Sequence, residues 1–438
     1  MSFVRGFARA APRLAACLAV TLALAGAVRP AAASELAALM AEALEGHPAA
    51  QVQRERADAA HADEDAARWQ FWPTPHASVD GAWAGNSVLY RGDRAATAIG
   101  LTQPLWTGGR LTARLQRSQA GSAAAQASQQ LAQLQLALRV AQGYGDWWAA
   151  RLKLDALDKA LAEHERLLAL VTRRVEQGQS ARADQLLAQE RLASLRADLG
   201  GAQVQQRVAL GRLSQLVGRA LDGAALAAPA QPPLSVDASL GAVLQRVQAA
   251  SPLLALYRAQ ADAEAATVAE RKAERWPELR LRAERLHGNL SSPGVGGSSV
   301  VALSLSSSFG AGLSQQSAIA AATSRQAAAL AEADAQWREL AEQVTADHAL
   351  LLQSADRREA LRAAAELSEQ VRQAWDRQFL AGRKSWQDLM NAARDQVQTE
   401  IQWADFDAAQ RVASWRLGLL ADGLPATLDR LTSAASFP

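Results

Sequence analysis

Residues that could do covalent or metal chemistry are scarce in this chain and poorly placed for it. Six histidines stand at positions 47, 61, 76, 164, 287 and 348. None pairs with another at i, i+4, and no cysteine stands near to complete a zinc site. No G-x-S-x-G nucleophile turn occurs. Carboxylates abound, but they lie in mixed-charge runs such as Glu163-His164-Glu165, where a solvated helix face accounts for them. The chain therefore reads as a non-enzyme without metal or cofactor. What remains is electrostatic chemistry in a spaced set, Arg173, Gly178 and Asp184, which recurs as Arg377, Gly382 and Asp388. An aspartate just after a turn can cap the helix that starts there. If copies of the chain met around an axis, the same carboxylates would form a ring that repels itself and attracts cations. The sequence leaves both roles open.

This set is one part of a longer echo with an offset of about 204 residues. Pro48 pairs with Pro252, Ala57-Asp58-Ala59 with Ala261-Asp262-Ala263, and Trp72-Pro73 with Trp276-Pro277. Gly108-Gly109 has its counterpart, roughly one residue out of frame, in Gly310-Ala311-Gly312. A period this long is no solenoid unit; it marks a duplicated half. The expected organisation is a signal peptide at 1–33, a first repeat at 34–228, a second at 237–424 and a C-terminal tail at 425–438.

The amino-terminal segment explains the charge. Arg5, Arg9 and Arg13 precede an apolar stretch from Leu14 to Val28, and Ala31-Ala32-Ala33 offers a cleavage site. Cys17, the single cysteine, ends a lipobox-like Leu14-Ala15-Ala16-Cys17, but the apolar stretch follows it, whereas a lipobox must follow the apolar stretch. Cys17 thus reads as an apolar residue of the signal. The formal charge of +2 rests on the four arginines of this segment, and without them 42 basic residues face 44 acidic ones. Basicity gives no support to a nucleic-acid partner. No later apolar run is long enough for a transmembrane helix, so entry into a membrane would require a closed β-barrel.

Two proline-free segments, Leu105–Ala228 and Gly294–Leu424, are rich in Ala, Leu, Gln, Arg and Glu, which favour helix. Long helices are expected over 110–217 and 312–419, each interrupted by a turn. A continuous helix of about 65 residues would reach ~100 Å. Its apolar positions (Leu154, Leu157, Leu161, Leu168, Val171, Val175) form a narrow seam suited to helices lying side by side. Before each helical segment the period drops to two. Leu279-Arg280-Leu281-Arg282 and Val301-Ala302-Leu303-Ser304-Leu305-Ser306 alternate, which predicts strands at about 278–287 and 299–309. Their counterparts at about 76–86 and 96–106 alternate less cleanly. Apolar residues on one face and Arg280, Arg282, Glu284, Ser304 and Ser306 on the other fit a membrane barrel with a watery lumen. Trp72, Trp106, Trp276 and Phe309 close the same end of the two hairpins, as an interfacial aromatic girdle would. Four strands cannot close a membrane barrel, so several copies must share one; three copies would supply twelve strands.

The passage Leu101-Thr102-Gln103-Pro104-Leu105-Trp106-Thr107-Gly108-Gly109 resembles the strand-to-helix motif of the TolC family of outer-membrane efflux proteins. The spacings Arg173 to Asp184 and Arg377 to Asp388 resemble that family's turns, and the likeness covers nearly the whole chain after the signal. It implies a mainly α protein with a membrane β-barrel: a homotrimer with one twelve-stranded barrel in outer-membrane lipid, set on a helical tunnel that crosses the periplasm. It implies a periplasmic tip where an adaptor protein docks, formed by Gly178, Ser180 and Ala181 in one repeat and Gly382, Arg383, Ser385 and Trp386 in the other. It also implies a gate at Asp184 and Asp388, with Lys384 at a basic position. Two residues depart from the family pattern: Asn391 replaces a second acid, and Phe379 replaces a tyrosine that would bond to the first aspartate.

The implied function is an export duct of the outer membrane, fed by a periplasmic adaptor and by an inner-membrane ABC exporter or proton-driven pump. The passage from Gln378 to Ala392 most resembles members serving type I protein secretion, of large adhesins or repeat-rich toxins. Drug or metal efflux is the alternative within the same architecture. A soluble periplasmic coiled-coil protein is the alternative outside it.

Overall fold

A computed structural model of the chain describes residues 35–81, 93–229, 239–288, 290, 297–308, 310–312 and 314–434. The expected signal peptide with Cys17, the girdle residue Phe309 and most of both inter-strand turns lie outside the described residues.

The duplication is visible in how helices begin. Helix α1 (Glu35–Gly46) is followed by α2 (Pro48–Trp69), and later α5 (Leu240–Ala250) by α6 (Pro252–Ala273). Both α2 and α6 open on proline, whose missing N–H costs nothing in the first turn. The residue before each proline caps the helix. His47 Nδ1 accepts from the Ala49 amide, and Ser251 Oγ accepts from the Leu254 amide. Each repeat then forms a strand pair, β1 (Thr74–Gly81) with β2 (Ala95–Trp106) and β3 (Glu278–His287) with β4 (Ser298–Ser306). The end expected for the first strand, beyond Gly81, lies outside the described residues.

Beyond the strands, the two halves differ. Helix α3 (Arg110–Glu176) runs unbroken for 67 residues, then α4 (Arg182–Val217) returns. In the second half the expected single long helix is divided into α7 (Ser314–Leu352) and α8 (Ser354–Leu380), followed by α9 (Trp386–Ala421). At the division the buried Ser354 hydroxyl donates to the Leu351 carbonyl at 2.6 Å. A serine that bonds back to the preceding turn competes with the helical ladder and loosens it. The equivalent position in α3 is Ala150, which cannot do this.

The helices form an open layer. Near the strands the order is α2–α3–α6–α7, and toward the far turns it is α4–α3–α9–α8. Helices α4 and α8 are thus left with exposed flanks. Leu186, Ala193, Ala197, Val204 and Val208 line one flank at intervals of seven and four, and Ala360, Ala363, Leu367 and Val371 line the other. Buried apolar residues gather where the layer changes partners: Tyr144, Trp147 and Trp415 meet there, beneath α1 and α5. Helix α10 (Leu424–Ala434) packs on α9 and occupies much of the expected tail. The i, i+3, i+4, i+7 spacing of Leu36, Leu39, Met40 and Ala43 announces α1, although only the long helices were expected.

The strands form one antiparallel sheet in the order β1–β2–β3–β4, with the repeats joined where β2 pairs β3, Thr102 opposite Arg282. Pairing ends at β1 and β4 among the described residues. The register places Pro75, Ala77, Val79, Ile99, Leu101, Leu279, Leu281, Ala283, Val301, Leu303 and Leu305 on one face. Val79 and Val301 are each 75% exposed there. No helix among the described residues is long and apolar enough to cross a membrane.

The turn from β2 into α3 shows how tightly the repeats are joined. Gly108 has φ +60°, and a Cβ on it would lie 2.4 Å from Trp276 Cβ of the other repeat. Gly108→Ala is expected to cost about 1–3 kcal/mol through strain and overpacking. A thermal melt of the purified protein checks this; an unchanged midpoint would mean that the turn relaxes freely.

Candidate functional site

The far turns of the two helical pairs share one construction. After α3, the Gly178 amide donates to the Val175 carbonyl at 3.0 Å and the Gln179 amide to Arg174 at 2.7 Å. After α8, the Gly382 amide donates to Phe379 at 3.0 Å and the Arg383 amide to Gln378 at 2.8 Å. This is a Schellman motif, which requires a left-handed residue, and Gly178 and Gly382 supply it at φ +68° and +71°. The recurrent glycine in the sequence thus has a backbone cause.

The turns diverge at the helices that follow. Ser385 is the N-cap of α9: its Oγ accepts from the Asp388 amide at 3.1 Å, and the Asp388 carboxylate accepts from the Ser385 amide at 3.3 Å. This capping box satisfies two amides that the helix itself cannot. The hydrogen bond from Ser385 chiefly, aided by the charge of Lys384 3.9 Å away, holds the Asp388 carboxyl below its ordinary value. The N-cap of α4 is Ala181, which has no oxygen to offer, and Asp184 lies half-buried in the first turn. Asp388 therefore makes capping contacts that Asp184 does not make through Ala181. Asn391, Arg383 and Ser180 lie on or near the surface of the same region.

Two of the expected tip residues point inward. Trp386 is 3% exposed and Phe379 5%, their rings 5.3 Å apart, in a core with Leu167, Val171, Ala188, Leu389 and Met390. In this chain Trp386 offers no docking surface; it holds α8 and α9 to α3 from within. Phe379 makes no polar bond but receives the Arg174 guanidinium over its ring at 4.8 Å, and Lys384 lies over Trp375 at 4.3 Å. Sequence reasoning missed Arg174 and Trp375 because neither stands in the repeated frame.

It also missed a polar layer about three turns up α3. Arg166 bonds both Glu163 and Asp376 at 2.7 Å, while Arg372 bonds Glu163 at 2.6 Å and Gln396 at 2.6 Å. Burial alone would raise the Glu163 carboxyl, but bonds from Arg166 and charge from Arg372 outweigh it and hold it low. No spacing in the sequence announces the contacts of Arg166 with Asp376 and of Arg372 with Glu163, which join residues more than 200 positions apart.

At the other end, Trp72 and Trp276 are 62% and 60% exposed, and Trp106 sets its ring edge-on to Trp276 at 6.4 Å. Trp69 and Phe71, unnoticed in the sequence, add to this exposed aromatic group. Behind the apolar face of the sheet lie charges: Arg280 and Arg110 both hold Glu278, and Glu284 lies between Arg282 and His76. Among the described residues no three His, Cys, Asp or Glu side chains gather as a metal site.

Residues 39–219, less than half of the chain, match the family model described as outer membrane efflux protein. Among curated proteins none matches the chain. Solved structures share its fold. The outer-membrane channel OprN is 22% identical, with a TM-score of 0.76 over 89% of this chain and 90% of that one. The outer membrane protein VceC of Vibrio cholerae is 17% identical, with a TM-score of 0.78 over 89% and 96%. The MtrE outer membrane channel of Neisseria gonorrhoeae, solved in its open state, is 19% identical, with a TM-score of 0.72 over 89% of each chain.

Removing the N-cap hydroxyl with Ser385→Ala is expected to cost about 1 kcal/mol. The Asp388 contribution to the start of α9 is present above its ordinary pKa and lost as pH falls through the lowered one. Hydrogen exchange across 385–392 between neutral pH and pH 3 reads both effects; equal protection in variant and parent would remove the capping box as a support of the turn.

Proposed function

We propose that this chain is one subunit of an outer-membrane exit duct. Three copies close a single β-barrel in outer-membrane lipid and continue it as a helical tunnel through the periplasm. The observation that carries this is the sheet: four strands, two open edges, one apolar exposed face and one face of paired charges. A sheet of that kind is stable only if neighbours take its edges and lipid takes its apolar face. The apolar flanks of α4 and α8 suit the same solution, α8 of one copy lying against α4 of the next. The efflux family match over 39–219 and the channel folds support this reading.

The duct carries no energy source, so an inner-membrane transporter, an ABC exporter or a proton-driven pump, feeds it through a periplasmic adaptor docked at the tip around Gly178, Ser180, Gly382 and Arg383. The family description, outer membrane efflux protein, favours efflux over protein secretion. The passage from Gln378 to Ala392 is the one feature that favours protein secretion. Deleting the gene separates them: a rise in drug or metal sensitivity marks efflux, and loss of a large surface protein marks secretion.

Placing a charge on the apolar face tests the barrel. Leu303→Arg should cost about 2–4 kcal/mol near the bilayer midplane and remove the heat-sensitive trimer from the outer-membrane fraction. Ser304→Arg, on the opposite face, should leave both intact. A soluble monomeric parent protein would instead favour the periplasmic coiled-coil reading.

The ring of Asp388 carboxylates is read as part of a gate. Asp388→Ala should raise single-channel conductance and weaken block by divalent cations beyond the effect of Ser385→Ala, which removes the cap but keeps the charge. Identical currents in the two variants would leave Asp388 as a capping residue only.

A further inference from the structure

The polar layer separates two apolar clusters of the tunnel helices, Leu167 and Val171 with the tip residues below it and Leu154, Leu157 and Leu195 above it. At its centre stands His164, 6% exposed on a helix otherwise packed by apolar residues. Its Nδ1 donates to the Ala160 carbonyl at 2.8 Å, which fixes the neutral tautomer with Nε2 unprotonated. The ring lies between two grooves. One, of about 580 Å³, separates α4 from α9 and carries Lys153, Arg191, Asp198 and Arg394. The other carries Glu163, Arg372 and Glu400 on the side toward α8.

We infer that His164 is a pH-responsive latch that holds α3 against α4 and α9 while it is neutral. The charges that face it decide the sign. From α3, Glu163 favours the imidazolium, but both of its oxygens are already held by Arg166 and Arg372. Arg191 from α4 and Arg372 from α8 oppose a third cation, and Arg394 from α9 lines the same groove. Asp198 and Glu400 belong to the grooves without a bond to the ring. Burial presses the imidazole below its ordinary value of 6.5, outweighing the bond to the Ala160 carbonyl and the charge of Glu163, which both raise it, and Arg191 and Arg372 add to the lowering. An opened state in which water reaches the ring takes up the proton more readily. The closed packing therefore keeps its full advantage above about pH 6.5 and loses it as pH falls from there toward the lowered value. Each pH unit in that window shifts the opening equilibrium by up to about tenfold. Glu163 does not compete at pH 5.5–7.5, because its carboxyl is held below its ordinary value. The acidic product of the shift is a helical layer loosened between its middle and its tip. The inference rests on the packing of this chain alone and stands whether or not the chain conducts.

Hydrogen exchange of the full-length protein at pH 7.5 and 5.5, corrected for the intrinsic chemical rate, tests it. In the parent protein, protection of peptides spanning 154–171 and 390–401 should fall several-fold at pH 5.5, while peptides spanning 35–46 and 136–150 should not follow. His164→Gln should abolish the pH-dependent part. Arg191→Gln, a change at a half-exposed site, removes one opposing cation, brings the closed-state value back toward 6.5 and should shrink the pH-dependent loss of protection, so the idea remains testable if the glutamine variant folds poorly. Parent protection that is flat between the two pH values, or the same pH dependence in His164→Gln or Arg191→Gln as in the parent, would overturn it.

Discussion

Backbone hydrogen bonding at the two open edges of the sheet is the constraint on which the rest of this structure depends. β1 and β4 each present a row of amides and carbonyls with no strand partner among the described residues. In a bilayer such groups cost several kcal/mol each, and in water they recruit other strands. The apolar face adds to the demand, since Leu303 and Leu305 stand 63% and 68% exposed. Every longer-range feature is compatible with one answer, a closed arrangement of several copies. The helix layer repeats the logic in another material, because α4 and α8 end it with apolar flanks of the kind that side-by-side helices bury.

Duplication makes that answer economical, and divergence makes it useful. Pro48 and Pro252 start matching helices, and Gly178 and Gly382 make matching left-handed turns. Where the copies differ, the physical behaviour differs too. Ser385 and Asp388 cap α9 reciprocally, while Ala181 leaves α4 without a side-chain cap. Ser354 divides one long helix, and Ala150 leaves the other whole. One helical pair is thus stiffer along its length and the other is better anchored at its tip.

A polar layer interrupts the apolar packing along the long helices. Tip aromatics, the Glu163–Arg372–Gln396 network, the Leu157 cluster and the Trp147 core follow one another from turn to middle. Ionic layers of this kind contribute little net stability, and here the observed alignment is the one that brings Arg166 to Asp376 and Arg372 to Glu163. A long helix pair with a narrow Ala-rich seam could otherwise slide by a turn. The layer around His164 serves that purpose and adds sensitivity to protons.

Much of the architecture was legible in the residues alone. Period two over 278–306, the absence of proline across more than a hundred residues and the repeated Arg/Gly/Asp spacing are local signals, and local backbone preference is what sequence encodes most directly. The helices α1, α5 and α10 were harder to see, because each is only 11 or 12 residues long and carries few periodic positions. Burial of Trp386 and Phe379 was not legible at all: an aromatic residue beside a turn looks the same whether it faces solvent or a core. Nor could spacing announce Arg166 with Asp376, since their pairing depends on how α3 meets α8 in space. Sequence alone determined the strand pairs, the long helices, their duplication and the alternation of the strand faces. Only the tertiary structure decided which charges meet and which aromatics are hidden, because those contacts join residues whose separation carries no periodic signal.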